Sequence, residues 1–443
     1  MVFETDYRLE DYVLNSKWDD FPQNVRERAI GCAIDLFTAL ILGCKGRQFK
    51  IGLNTARNIY SRGNVSILGA HDRFNFVGAA ATMAHAANSF DIDDGYNLIR
   101  GHPGASFVGG VLAAALDRDV TYREYLESLV VSYEATIRWA LAMQNHYNYI
   151  HSTGAYGAFG TTSGVGRLFG LDRKTLNNAL SIADFHAPMT PVMRAVRYPS
   201  MNKDGVPFGT LMGAMAVVEA LEGYEGKTHL LEMPEYRYLL DSLGSEYKIM
   251  DLYFKPYTCC RWAHQPIIAC LELMKGHDFG HESIKKITVH IFDAATRLSK
   301  IEPSTTDEAQ YNIAYPVAAA VVHGDLGYPQ VREEALKDER VLGMMKRLEF
   351  VLDPEMEAQF PQKRLAWVEL RLVDGRVLRS EIYAAPGEAS DNIDLDWIKK
   401  KFVRLTRPVL SEGRHDELLS ILTGSQDISI SVVVEAINKD CIT

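Results

Sequence analysis

After the breaker Pro22, the apolar residues Val25, Ala29, Ala33, Leu36, Leu40 and Ile41 recur with a period near 3.6 and predict a long helix. Thr121 and Glu124 have the spacing of a capping box, and Leu126, Leu129, Val130, Tyr133, Ile137 and Leu141 continue from it as one apolar stripe. Another helix is predicted from Asp172 through Leu176, Leu180 and Ala183. Four segments are rich in small residues: GAAATMAHAA from Gly78, GGVLAAAL from Gly109, GAYGAFGTTSGVG from Gly154 and GTLMGAMA from Gly209. Small side chains let helix backbones approach closely, so these segments read as central, mutually packed helices.

Beyond about residue 280 the period shortens to two. Ile287, Val289 and Ile291 alternate, and LAWVELRLVDGRVLRSEIY alternates on both sides of an Asp374-Gly375 turn, the pattern of a hairpin. Helical patterns lie between these strands at 310–323 and 329–347, and DWIKKKFVRL returns to the helical period. The predicted fold is mainly α with an α+β insertion. A large all-helical domain comprises residues 1–265 and 393–443, and a smaller α/β lid domain comprises 266–392.

Composition narrows the function. The 443 residues carry 47 Lys+Arg against 57 Asp+Glu, a net charge of −10. Neither nucleic acid nor an anionic membrane suits such a chain as a partner, and an anionic substrate needs a local basic pocket. The six cysteines, at 32, 44, 259, 260, 270 and 441, form no CxxC pair and read as reduced thiols. MVFETDYRLEDY lacks an apolar signal core. The greasiest stretch, 31–44, carries Asp35 and falls short of the ~20 residues of a membrane span. A cytoplasmic protein is expected.

Several motifs fail on inspection. Gly226-Lys227-Thr228 lacks the first glycine of a phosphate loop, since position 221 is Leu221. Ser200 to Lys203 matches S-x-x-K and Ser390-Asp391-Asn392 matches S-D-N, but the third element of acyl-serine enzymes is missing. Cys260 with His264, and His277 with His281, have i, i+4 spacing without a nearby carboxylate motif, so no metal is expected. With no dinucleotide fingerprint and no nucleophile elbow, no cofactor is expected either.

Polar clusters interrupt the small-residue helices. Asn88-Ser89-Phe90-Asp91-Ile92-Asp93-Asp94 precedes Gly101-His102-Pro103-Gly104. His151-Ser152-Thr153-Gly154 follows, then Arg194, Arg197 and Pro199-Ser200-Met201-Asn202-Lys203-Asp204-Gly205. Downstream stand Phe254-Lys255-Pro256-Tyr257 with Arg261 and His264, then Tyr311 and Tyr315. Three carboxylates within four residues raise at least one pKa towards neutrality, which suits proton transfer.

SFDIDDGYNLIRGHPGA, HSTGAYGAFGTTSGVGRLFGLD, PSMNKDGVPFGTLMGAMA and FKPYTCCRWAHQPI, in this order, resemble the MmgE/PrpD family. That family includes 2-methylcitrate dehydratase, cis-aconitate decarboxylase and iminodisuccinate epimerase. The resemblance implies a helical domain with an α/β lid, in a homodimer. It makes Asp91 an active-site carboxylate, His102 and His151 pocket histidines, Lys203 the active-site lysine and Tyr315 a lid tyrosine reaching the substrate. Lys255 and His264 fall in its K-P-Y…H motif, while Asp93 and Asp94 position the loop. Asn88 stands where the family often has histidine, and Gly95 where threonine often follows the double acid.

Enzymes of this kind form a carbanion-like centre beside a carboxylate and must supply fixed positive charge there. Lys203, Lys255, Arg194 and Arg197 suit carboxylate binding, and Asp91, His102 and His151 suit proton transfer. The expected activity is that of a cofactor-free lyase on a small di- or tricarboxylate, by hydration/dehydration or decarboxylation. The alternatives are an epimerase of a dicarboxylate such as iminodisuccinate, and an inactive polycarboxylate-binding paralogue.

Overall fold

The computed structural model describes residues 5–277 and 279–442; the first four residues of the N-terminal reading lie outside it. Helix Gln23–Gly43 begins directly after Pro22, and all but a few of its residues are buried, as the breaker and the long apolar run require. Helix Tyr122–His146 starts on the expected box: Thr121 accepts from the Glu124 amide, and Glu124 accepts from the Thr121 amide at 2.8 Å. Asp172 caps helix Arg173–His186 by accepting from the Thr175 amide.

The four small-residue segments form helices Phe76–Ala87, Pro103–Asp117, Thr153–Leu168 and Val206–Leu221, which pack on one another. Their contact is close enough that a β-carbon at Gly109 would stand 2.6 Å from the Ala84 nitrogen, and one at Gly154 would strike the backbone of Gly205. This is the reason for the glycine and alanine content. Among the described residues, no single helix is long and apolar enough to cross a membrane.

The second part is a mixed sheet in the order Leu348–Leu352, Ile284–Ile291, Leu365–Leu372, Val377–Arg379, with Tyr383–Ala384 also on the third strand. Its first pair is parallel and the rest are antiparallel, and Gly375 takes the left-handed conformation (φ +91°) in the hairpin. The chain is thus a large helical domain with a small α/β domain. Three details depart from the sequence reading. The helical domain contains a two-stranded ribbon, Arg62–Ser66 with Arg73–Phe74, whose pairing is too short to alternate. The stretch 329–347 is broken into Tyr328–Val331, a 3-10 turn Glu333–Lys337 and Glu339–Met345, the last capped by Asp338. Strand Leu348–Leu352 follows that helix at once, so its brief alternation was hidden by the helical period.

Two cores result. One unites the N-terminal helices with Ile398, Phe402, Leu418, Val433 and Ile437 of the C-terminal helices. The other already takes in Tyr257 and Cys259 and runs through the sheet, and it also receives Phe90 and Ile92. The acidic segment 88–94 therefore lies where the two cores meet. It is tied down by Lys401 of helix Leu395–Thr406, whose ammonium donates to Asp35 Oδ1 at 2.5 Å and to the Ile92 carbonyl at 2.7 Å. Both charges are buried, which pushes Asp35 up and Lys401 down, each towards its neutral form.

Removing one member leaves the other uncompensated. Lys401→Met is expected to lower unfolding stability by ~3–5 kcal/mol, and Asp35→Leu added to it should recover part of that loss. Denaturant titration of the three proteins checks this; a double variant no more stable than Lys401→Met would contradict it.

Candidate active site

Each carboxylate of Asp91-Ile92-Asp93-Asp94 has a different partner. Asp94 accepts from the Gly104 amide at 3.0 Å and from the Tyr133 hydroxyl, at the N-terminus of helix Pro103–Asp117; burial pushes it up to about 7. Asp93 accepts from the Asn88 amide at 2.9 Å and from His102 Nδ1 at 2.8 Å. Asp91 accepts from the Lys255 ammonium at 2.7 Å. Asp91 holds φ +53°, a conformation that costs a non-glycine residue on the order of 1–3 kcal/mol and recurs at functional sites.

His102 is the centre of this group. A carboxylate only accepts, so Nδ1 carries its proton towards Asp93, and the Lys255 ammonium 3.1 Å from Nδ1 acts as a neighbouring charge. Nε2 then points between Asp91 Oδ1 and Asp204 Oδ2, at 3.7 Å from each. Burial and Lys255 disfavour the imidazolium, but Asp93 and Asp204 outweigh them and raise His102 to about 9. Asp93 is driven the opposite way: burial opposes its ionisation, and Lys255 and His102 more than offset that. Lys255, buried beside Asp91 and Asp93, stays charged. The Tyr311 hydroxyl closes the group from the α/β side by donating to Asp204 Oδ2 at 2.7 Å.

His102, Asp91, Asp204, Tyr311 and Tyr253 line a cavity of about 230 Å3. Cys260 lines it too, but burial pushes its thiol up to about 12, so it is no nucleophile at neutral pH. Asp91, His102 and Asp204 offer donor atoms within 4.8 Å of one another, a spacing that accommodates a cation. The Lys255 ammonium already lies on Asp91 and supplies positive charge there. An imidazolium whose Nε2 faces a cavity is a proton donor; a lysine at its side stabilises negative charge developing nearby.

Both halves of this arrangement match one family. Residues 7–248 match the MmgE/PrpD N-terminal domain and residues 257–424 the MmgE/PrpD C-terminal domain. The chain belongs to the MmgE/PrpD family. It is similar to a cis-aconitate decarboxylase-like protein of Aspergillus oryzae, 22% identical over 95% of each chain. A cis-aconitate decarboxylase of Aspergillus terreus is 20% identical over 96% of this chain and 94% of its own. The 2-methylcitrate dehydratase of Salmonella typhimurium is 23% identical over 60% of each.

Of the residues marked in the sequence, Asp91, His102 and Lys255 come together. The others lie elsewhere. Lys203 is fully engaged with the Asn88 carbonyl (2.8 Å), the Ser89 carbonyl and Gln310 Oε1 (2.9 Å), with Asp307 at 3.4 Å, so it fastens the acidic segment to the α/β domain. Tyr315 does not reach the cavity: its hydroxyl donates to the carbonyls of Gln330 at 2.7 Å and Ala335 at 3.3 Å. His264 is a buried ring whose Nε2 meets the Cys259 carbonyl at 3.1 Å, and burial and Arg261 push it well below its usual range. His151 packs against Tyr147 and Tyr149, both ring nitrogens are buried without a protein partner, and burial lowers it to about 4.

Arg194 and Arg197 face a different space. Helix Val192–Arg197 turns Val192, Met193 and Val196 to the 230 Å3 cavity, and Arg194 and Arg197 to a larger one of about 1030 Å3 that Lys203 also lines. The sequence places Tyr311 and Asp204 in its polar clusters but assigns neither a role. Tyr311 precedes Tyr315 by one helical turn, and only the start of helix Ala314–His323 after Tyr311 separates their directions. Asp204 follows Lys203 directly, so the NKDG motif held the signal but not the choice of residue.

With His102 as proton donor, kcat is expected to stay level through neutral pH and to fall above about 9. Asp93→Asn removes the charge that sustains the imidazolium, so the falling limb should move by one unit or more to lower pH. A pH–rate profile unchanged by Asp93→Asn would contradict the assignment.

Proposed function

We propose that this protein is a lyase acting on a small di- or tricarboxylate by proton transfer at a carbon beside a carboxylate, without an added cofactor. The supporting observation is the His102 imidazolium, fixed at Nδ1 by Asp93 and directing Nε2 into the cavity beside Lys255. The names of its relatives, a decarboxylase and a dehydratase, agree with that chemistry.

In a decarboxylation, CO2 leaves and its bonding electron pair stays on the substrate carbon, where Lys255 offsets the charge. His102 Nε2 gives that carbon its proton and regains one from solvent. In a dehydration, Asp91 or Asp204 takes the proton from carbon and His102 protonates the departing hydroxyl, which leaves as water. Both routes need a proton donor at rest, and a group with a pKa of about 9 provides one at pH 7. An epimerase needs two acid–base groups on opposite faces of one carbon, whereas the Asp91, Asp204 and His102 atoms that face the cavity converge within 4.8 Å of one another. The lyase reading is preferred for that reason. A binding-only paralogue has no need of the His102–Asp93 pair.

We also propose a homodimer. Tyr198, Phe208 and Ile301 are 75%, 63% and 79% exposed around the larger cavity, an apolar cluster that a second copy would cover. Light scattering at micromolar concentration should give twice 49.6 kDa, and a monomer would contradict it.

The activity is tested by incubating EDTA-dialysed protein with cis-aconitate, citrate, 2-methylcitrate or one stereoisomer of iminodisuccinate in D2O, followed by mass spectrometry and chiral chromatography. The expected outcome is loss of CO2 or gain or loss of water with deuterium on carbon. Isotope exchange with inversion and no change of formula would favour the epimerase. Turnover restored only by added metal would overturn the cofactor-free chemistry.

A further inference from the structure

Two arginines at the 230 Å3 cavity have no part in the proton chemistry. Arg100 sits in the loop between Asp94 and His102, holds φ +53°, and makes no side-chain hydrogen bond or ion pair among the described residues. Arg364 precedes strand Leu365–Leu372 in the α/β domain. Its Nη1 donates to Asn97 Oδ1 at 2.7 Å, its Nε is buried without a partner, and no described carboxylate pairs with it. The third arginine of the cavity differs. Arg261 is consumed by Glu388 at 2.7 Å and by the carbonyls of Pro386 and Ala385.

The two guanidinium groups, neither paired with an acid, lie near enough to affect one another. Burial and the Arg364 charge both push Arg100 down. In a chain with 57 acidic residues, neither of these cations has an acid at ion-pair distance among the described residues, so this wall of the cavity keeps its positive charge. A carboxylate suits it, because each guanidinium presents a planar fork that matches one. The left-handed backbone at Arg100 has the same sense: a β-carbon resists that conformation, and it is kept where it aims a side chain. Arg194 and Arg197, the arginines marked in the sequence, line the other cavity and are not available to a substrate at His102.

We infer that Arg100 and Arg364 form a clamp, one arm from each domain, for a substrate carboxylate remote from the carbon that His102 protonates. The inference rests on the polycarboxylate reading and makes it narrower. The clamp holds a third carboxylate beyond the two that the Lys255 end takes, so a tricarboxylate is selected over a dicarboxylate.

Calorimetric titration with two unreactive probes tests this: propane-1,2,3-tricarboxylate, and glutarate, which lacks the middle carboxylate. The unaltered protein is expected to bind the tricarboxylate ~10-fold more tightly or better. Arg100→Gln and Arg364→Gln should each remove most of that preference, with glutarate binding changed less than threefold. Arg100 is exposed, so Arg100→Gln should leave the thermal midpoint unchanged and keeps the test open if Arg364→Gln folds poorly. A tricarboxylate preference that survives in both variants would overturn the clamp and leave the polycarboxylate reading standing. Equal binding of the two probes by the unaltered protein would also overturn it. Binding of neither probe would remove the polycarboxylate reading and the clamp together.

Discussion

Asp91, Asp93 and Asp94 are buried within four residues of one another, and most of the site follows from neutralising them. Charges this close, taken from water, are tolerated only with cations or donors fixed at hydrogen-bonding distance. Each partner comes from a different part of the chain: Lys255 from the approach to the α/β domain, His102 and the Gly104 amide from the start of a central helix, Tyr133 from the capped helix. Lys401 holds the Ile92 carbonyl between them, and Lys203 holds the carbonyls just upstream. The proton that His102 directs at the cavity is a by-product of this neutralisation. Two carboxylates oppose burial at His102 and win, leaving a charged ring with one face open to the cavity.

The helical domain was legible in the sequence because its signals are local: Pro22, the Thr121–Glu124 box and the Asp172 cap each act within a turn or two. The acidic cluster and His102 were legible as a motif. Lys203 reads as a substrate-binding lysine because its partners, two backbone carbonyls and Gln310, leave no mark in the neighbouring sequence. Tyr315 and Tyr311 differ only in which side of a helix start they occupy, and strand Leu348–Leu352 is too short to declare its period. Arg100 and Arg364 are 264 residues apart in number and meet only at a domain junction.

The departures from the family pattern have a physical account at two positions. Asn88 uses its side-chain amide on Asp93 at 2.9 Å, while the carbonyl that receives Lys203 belongs to its backbone and does not depend on the side chain. A β-carbon at Gly95 would enter the Tyr253 ring, which pairs its backbone with Gly95 and lines the cavity. Gly95 and Tyr253 therefore form one unit, and a threonine at 95 requires a different residue or rotamer at 253. The part of the cavity wall that Tyr253 forms depends on that exchange.

The central claim is that His102 is an imidazolium at neutral pH, protonated at Nδ1 towards Asp93 and at Nε2 towards the cavity. Nitrogen-15 NMR of histidine-labelled protein, with His102→Gln to assign the signal, measures this directly. With His102 held as an imidazolium, both ring nitrogens should show protonated shifts at pH 7 and titrate near 9. A neutral ring at pH 7, titrating near ~6.5 as an unperturbed histidine does, would contradict it.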